Sequence, residues 1–248
     1  MPAPSPQSAL QSAYLWWKAA LRRDGPWSAC RQLAASLWEF ARDSTPQRKR
    51  SRFGDADYDW DHRVNTTSGG VGWRERLLGA LHSPYQPTEA TLFHAMLADW
   101  IEHSGADPRQ FVFCDLGSGK GRTLMMAAEY PFRRIVGVEL LPALHAIAEE
   151  NIRVYKNDRQ KCFALEAVCA DATTFALPEA PLLLYLFNPF PEAGMMRVIA
   201  NLEQSLKDHP RPVYVLYHNP QLEHALQDSP QLERINGTPQ YSLYCGKT

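Results

Sequence analysis

One short run constrains this chain more than any other: Asp115-Leu116-Gly117-Ser118-Gly119-Lys120-Gly121, which follows the apolar segment Phe111-Val-Phe-Cys114 and precedes a helical pattern from Arg122 to Glu129. Closely spaced glycines let the backbone turn sharply and leave room for a ligand to press against it. The following helix is expected to direct its N-terminal N–H groups into the same space. A strand, glycine turn and helix in that order predict a ligand-binding turn, and the composition of the turn narrows the ligand. A triphosphate-binding loop needs glycine at position 114 and Ser or Thr at 121, where this chain has Cys114 and Gly121. A dinucleotide fingerprint needs a third glycine at position 122, occupied here by Arg122. Asp115, just ahead of the first glycine, is unwelcome beside a pyrophosphate and favourable beside a cationic sulfonium or ammonium group.

The turn sits in a regular alternation. Thr88 to His103 reads as a helix with Thr88 as its N-cap, an apolar stripe of Leu92, Phe93, Met96, Leu97, Trp100 and Ile101, and Gly105 as its stop. Strands are expected at Phe111 to Cys114, Arg134 to Val138, Phe163 to Cys169, Leu182 to Phe187 and Val213 to Tyr217. Helices are expected at Pro142 to Tyr155, Glu192 to Leu206 and Gln221 to Leu226, with Pro142 suited to a first turn. Gln231 to Ile235 and Tyr241 to Cys245 read as a closing hairpin about Asn236-Gly237. Strands alternating with amphipathic helices imply an α/β fold: a mostly parallel sheet covered on both faces. Ligands of such sheets bind at the carboxyl ends of the strands, which makes the residues after each strand the candidates. Glu139, about 24 residues beyond Asp115, suits paired hydrogen bonds to a ribose diol. Asp171, after the third strand, is placed to accept from an adenine amino group; for both acids the alternative is a helix cap.

The chain divides into an N-terminal helical extension with a tail and basic linker (1–52), an ordered loop (53–87) and the alternating domain (88–248). In the extension, 8–23 and 26–42 carry apolar residues at helical spacing; Trp16, Trp17 and Trp38 read as helix contacts. Arg42, Arg48, Lys49, Arg50 and Arg52 against the lone Asp43 make a solvated linker, or a docking patch for an acidic partner. Phe53 to His62, with Asn65-Thr-Thr-Ser-Gly-Gly70 after it, is too aromatic for a linker and too broken by Asp and Gly for a helix. It is expected to lie on the domain as a lid, or as an aromatic brace through Tyr58 and Trp60; His62, Asn65 and Thr66 belong to it.

With 26 Lys and Arg against 27 Asp and Glu in 248 residues, the net charge of -1 argues against binding nucleic acid by bulk electrostatics. Cys30, Cys114, Cys162, Cys169 and Cys245 are odd in number, lack ligand spacing and read as reduced core thiols. No run approaches the ~18 apolar residues of a membrane span, and the opening Met1-Pro-Ala-Pro-Ser-Pro lacks the layout of a signal peptide. A cytoplasmic protein without a metal is expected.

On the glycine motif Asp115 to Gly121, the acid in Gly137-Val-Glu139 and the acid in Ala170-Asp171-Ala, the domain resembles the class I S-adenosylmethionine-dependent methyltransferases over roughly residues 85 to 248. The resemblance implies a seven-stranded sheet whose last strand is antiparallel, with S-adenosylmethionine across the strand ends. By that resemblance Asp115, Gly117 and Gly119 surround the methionine portion, Glu139 takes the ribose and Asp171 the adenine, with Ser118 and Gly121 also on the cofactor side. A second resemblance, to the non-SET histone-lysine methyltransferases, rests on Tyr85, Thr88, Asp115 to Gly119, Gly137 to Glu139, and Asn188 with Phe190, and adds Tyr85, Thr88 and Asn188 to the cofactor side. The run from Phe53 onward is also similar to uncharacterised bacterial methyltransferases with an Asn-Pro-Phe exit.

That exit, Asn188-Pro189-Phe190 after the fourth strand, looks like the Asn-Pro-Pro-Tyr/Phe motif of amino-group methyltransferases, with Phe190 where the second proline stands. The side-chain amide of Asn188 and nearby carbonyls can hold an amine while Phe190 forms an apolar or cation–π wall. Tyr217, His218 and Asn219 follow the fifth strand, and His218 is either a base near neutral pH or a hydrogen-bonded structural residue. Methylation of an amino nitrogen on a protein or small molecule is expected. The rivals are a catalytically silent cofactor-binding module with a protein partner and a nicotinamide-dependent oxidoreductase.

Overall fold

The computed structural model describes residues 56–66 and 87–247. The described residues from 57 to 66 and from 87 to 247 belong to one compact unit. The helices expected at 8–23 and 26–42, the tryptophans 16, 17 and 38, the basic run 42–52 and Tyr85 all lie outside the described residues, as does the Trp60 side chain.

Seven strands make one sheet in the order β3-β2-β1-β4-β5-β7-β6. They are β1 (Val112–Leu116), β2 (Arg134–Glu139), β3 (Leu165–Cys169), β4 (Leu182–Phe187), β5 (Val213–His218), β6 (Leu232–Thr238) and β7 (Tyr241–Gly246). β1 to β5 run parallel, and β7 is antiparallel to both β5 and β6. This is the Rossmann-like α/β fold expected from the alternation. β4 is apolar at every position and β1 at every position but Asp115, because both faces of these central strands are covered. Phe113, Leu183 and Tyr185 pack on one face with Phe93, Met96, Leu97 and Trp100, while Cys114, Leu184 and Leu186 pack on the other with Met195, Val198 and Leu202.

The helices are α1 (Ala56–His62), α2 (Ala90–Ser104), α3 (Arg122–Ala127), α4 (Pro142–Val154), α5 (Glu192–Asp208) and α6 (Glu223–Gln227). Of the apolar stripe of α2, Phe93, Met96, Leu97 and Trp100 are fully buried, at about 1.5–3 kcal/mol of transfer free energy per side chain, while Leu92 and Ile101 are partly buried at its margins. Gly105 ends α2 in the left-handed conformation, its N–H donating to Ile101 O at 3.0 Å. No helix among the described residues is long and apolar enough to cross a membrane.

Four expectations are corrected. Residues 56–62 are helical despite their aspartates: Asp59 accepts from Thr66 N–H at 2.8 Å and pairs with Arg122 at 3.7 Å, and His62 lies 3.4 Å from Lys156 O. Thr88 does not cap α2, which starts at Ala90 with Glu89 at the N-cap position; the Thr88 side chain turns inward to Tyr185. The hairpin turns at Pro239-Gln240, while Asn236-Gly237 lies inside β6 at a register shift, where Asn236 Nδ2 donates to Asp99 Oδ1 at 2.7 Å. Of the cysteines, Cys114 and Cys162 are buried but Cys169, at the end of edge strand β3, is exposed.

Candidate functional site

β1 lies where the strand order reverses, between β2 and β4, so its carboxyl end opens the crevice that such sheets offer to ligands. The turn leaving it has Gly117, Gly119 and Gly121 at φ of 88°, 55° and 79°, a left-handed path that other residues resist. Its N–H groups are engaged within the protein. Those of Gly117 and Ser118 donate to Val138 O at 2.8 and 3.1 Å, and that of Gly121 to Ser118 O at 2.9 Å. The Gly119 N–H donates to Glu139 Oε2 at 2.9 Å. At these four positions the turn's own N–H groups thus bond within the protein. Ser118 fills the notch left by Gly137 on β2, where an added Cβ would lie 2.7 Å from its hydroxyl.

Glu139 ends β2 with its carboxylate nearly enclosed. Oε2 holds Gly119 and Oε1 accepts from Leu141 N–H at 2.8 Å. Each oxygen keeps a further lone pair for a ligand hydroxyl. Asp115, 3% exposed, accepts from the Thr123 hydroxyl. Burial pushes its carboxyl up to about 7, with the Thr123 bond opposing and the Glu139 charge adding to the rise. Asp171 is exposed beyond β3 and accepts from both the N–H and the hydroxyl of Thr173, at 2.9 and 2.8 Å.

On the far side of β1, Asn188 leaves β4 at φ 43°. Its Oδ1 accepts from the Tyr217 hydroxyl at 2.8 Å and from Gln221 N–H at 3.4 Å. The oxygen expected to hold an acceptor amine thus faces the protein. Pro189 packs on Gly117, and half-buried Phe190 packs on Gly194 in the first turn of α5. His218 stacks on Phe187 with centroids 3.9 Å apart, and its Nδ1 shares a 2.9 Å hydrogen bond with the Tyr185 hydroxyl. Tyr185 in turn shares one of 3.0 Å with Thr88. Burial lowers the His218 pKa to about 4, so the imidazole is neutral at physiological pH. Asn219, at φ 50°, ties the β5 exit to the hairpin through its N–H and Gln240 O, 2.7 Å.

The motif reading missed a polar layer behind the glycine turn. Thr66 donates to Asp59 through its hydroxyl and its N–H, the latter at 2.8 Å. Arg122, 2% exposed, donates to Thr66 Oγ1 and Thr88 O, both at 2.9 Å, and its guanidinium lies 4.2 Å from the Tyr58 ring centroid. His62 meets the Tyr58 ring edge-on and the Tyr155 ring at a tilt, with centroids 4.5 and 5.5 Å apart. Asn151 of α4 joins Asn65 to Lys120. Charged residues inside the motif itself, Lys120 and Arg122, were the available signal, since both need polar partners when buried. The segment braces the turn from behind. Among the described residues no three His, Cys, Asp or Glu side chains converge as a metal site requires.

Such an arrangement suits a ligand that brings hydroxyl donors to Glu139 and positive charge near Asp115. No protein-family model matches the chain and no curated protein matches it. Among solved structures it is similar to an RNA methyltransferase from Salinibacter ruber in complex with S-adenosyl-L-homocysteine, at 20% identity over 65% of this chain and 92% of that chain, TM-score 0.43. It is also similar to a ribosomal protein L11 methylase from Lactobacillus delbrueckii subsp. bulgaricus, at 15% identity over 68% of this chain and 82% of that chain, TM-score 0.45.

Proposed function

We propose that this chain is an S-adenosylmethionine-dependent methyltransferase acting on an amino nitrogen of a protein side chain or small molecule. One observation carries the reading: the glycine turn has its N–H groups at 117, 118, 119 and 121 engaged, while the carboxyls of Asp115 and Glu139 stand at neighbouring strand ends. A phosphate-bearing ligand needs donors at that turn and would meet two acids. A nucleoside with a cationic sulfur and a free ribose diol meets acceptors instead.

In this reading Glu139 takes the ribose hydroxyls on its remaining lone pairs, Asp171 accepts from the adenine amino group, and Asp115, Gly117 and Gly119 adjoin the methionine portion. When bound, the cofactor supplies a methyl group on a positively charged sulfur. The chain's own contribution is to orient and dry the acceptor. Because Asn188 Oδ1 is held by Tyr217, the acceptor N–H groups fall to main-chain carbonyls of the 188–190 exit, and Asn188 acts by fixing that exit in its left-handed bend. Phe190 supplies an apolar wall. Positioning and desolvation account for the acceleration, since methyl transfer disperses charge rather than creating it. With a pKa of about 4, His218 is too weak a base to deprotonate an ammonium, so a lysine-like acceptor loses its proton to water.

Calorimetric titration with S-adenosylmethionine, S-adenosylhomocysteine and reduced nicotinamide dinucleotide tests the cofactor. Binding of the first two and not the third is expected, and the reverse overturns the reading. Transfer of a labelled methyl group into cell extract, followed by identification of the labelled atom, tests the nitrogen acceptor and separates an enzyme from a silent binder.

A further inference from the structure

We infer that Asn151 is a positioning residue for the glycine turn, so that the segment ahead of the domain sets cofactor affinity without touching the cofactor. The inference rests on the proposed function for its readout and on geometry for its content. Asn151 lies in the last turns of α4 and is 2% exposed. Its Oδ1 accepts from Asn65 N–H at 2.8 Å, and its Nδ2 donates to Asn65 O at 3.0 Å and to Lys120 O at 2.9 Å. Both amide hydrogens and an oxygen lone pair are thereby engaged, and every partner is main chain. The amide therefore reads where two backbones are, not which side chains they carry. One backbone belongs to the segment that Asp59 and Thr66 fold against Arg122; the other is the glycine turn between Gly119 and Gly121. Gly121 packs against the same helix at Ala148, 3.3 Å from an added Cβ, so the turn is gripped at two successive residues.

A side chain that only filled space here would have no use for two donors and one acceptor arranged this way. Asn151→Asp keeps the shape and turns the donor face into an acceptor facing two carbonyl oxygens. If Asn151 positions the turn, this variant, folded by near-ultraviolet circular dichroism, binds S-adenosylhomocysteine about tenfold or more weakly than wild type at pH 8, as expected for buried polar groups set against one another. The ratio of the two dissociation constants narrows toward pH 5.5, where the introduced carboxyl takes up a proton and can donate again. Titration of Asp115 affects both proteins alike and cancels in the ratio. Equal affinities at pH 8, or a ratio independent of pH, overturn the inference, because loss of fold stability alone moves neither. Should the aspartate variant fail to fold, Asn151→Ala is measured the same way at pH 8, and hydrogen exchange is followed in the wild-type chain. Saturating S-adenosylhomocysteine should slow exchange at the Asn65 amide along with Gly119; protection confined to Gly119 overturns the coupling. Absence of any binding by wild type contradicts the proposed function instead, and the two failures are thereby told apart.

Discussion

Gly117 and Pro189 meet so closely that a methyl group on Gly117 would lie 2.5 Å from Pro189 Cβ. The exit of β1, which carries the proposed cofactor turn, is in contact with the exit of β4, which carries the proposed acceptor loop. Gly117→Ala forces two costs at once: about 1–2 kcal/mol for a left-handed non-glycine residue and about 1–3 kcal/mol for the overpacking. Thermal denaturation should register the loss, and calorimetry should find S-adenosylmethionine binding abolished in the variant at a temperature where it remains folded. Retained affinity would move the site elsewhere.

If the proposed site holds, Asp115 should make cofactor binding depend on pH. Its carboxyl, raised by burial from 3.8 to about 7, holds a proton in the folded chain that the unfolded chain has already lost. Its contribution to stability therefore falls as pH rises from about 4 to about 7 and is level above that. A cation bound beside it favours the charged form, so affinity for S-adenosylmethionine should weaken below pH 7 by up to about tenfold per unit. Asp115→Asn should raise the melting temperature at pH 8 while weakening that affinity and flattening its pH profile.

His218 acts with the opposite sign. Its folded pKa of about 4 lies below the ordinary 6.5, so the folded chain holds fewer protons between those values, and stability drops as pH falls through this window. The two buried groups therefore offset one another between pH 4 and 6.5. His218→Phe removes the acid-labile member, and melting curves should then show stability increasing toward low pH. Turnover in the same variant should keep its profile near pH 6.5, because the imidazole is neutral throughout that range.

Tyr217→Phe removes the shorter of the two hydrogen bonds to Asn188 Oδ1 without touching the exit loop's sequence. The hydroxyl it removes is 2.8 Å from Asn188 Oδ1 and also accepts from Leu222 N–H at 3.2 Å. Methyl transfer should slow while S-adenosylhomocysteine affinity stays near wild type. Asn188→Gly, which tolerates the φ of 43°, should behave in the same way, whereas Asn188→Ala adds backbone strain. Unchanged turnover in Tyr217→Phe would separate Asn188 from catalysis.

Strands and the glycine turn were legible because their signals are local: runs such as Leu182 to Leu186 announce a strand buried on both faces, and Gly117, Gly119 and Gly121 announce a bend that other residues resist. What escaped the sequence depends on partners far along the chain. Thr88 looks like a cap until Tyr185 and Arg122 are beside it. Asn236-Gly237 looks like a turn until Asp99 engages the asparagine. Asp59 looks like a helix breaker until Thr66 folds back on it. The site acids were readable as positions at strand ends, but their orientation was not, since Glu139 is aimed by the N–H groups of Gly119 and Leu141 and Asn188 by a hydroxyl on the neighbouring strand.

The grip on Glu139 bears on how binding divides between heat and disorder. A glutamate free to rotate would surrender about 1.5–2 kcal/mol of side-chain entropy on capturing a ligand. Here both oxygens are tethered to the main chain before any ligand arrives. A diol reaching this carboxylate finds a rigid receptor and leaves its motion unchanged, so its recognition should register chiefly as enthalpy.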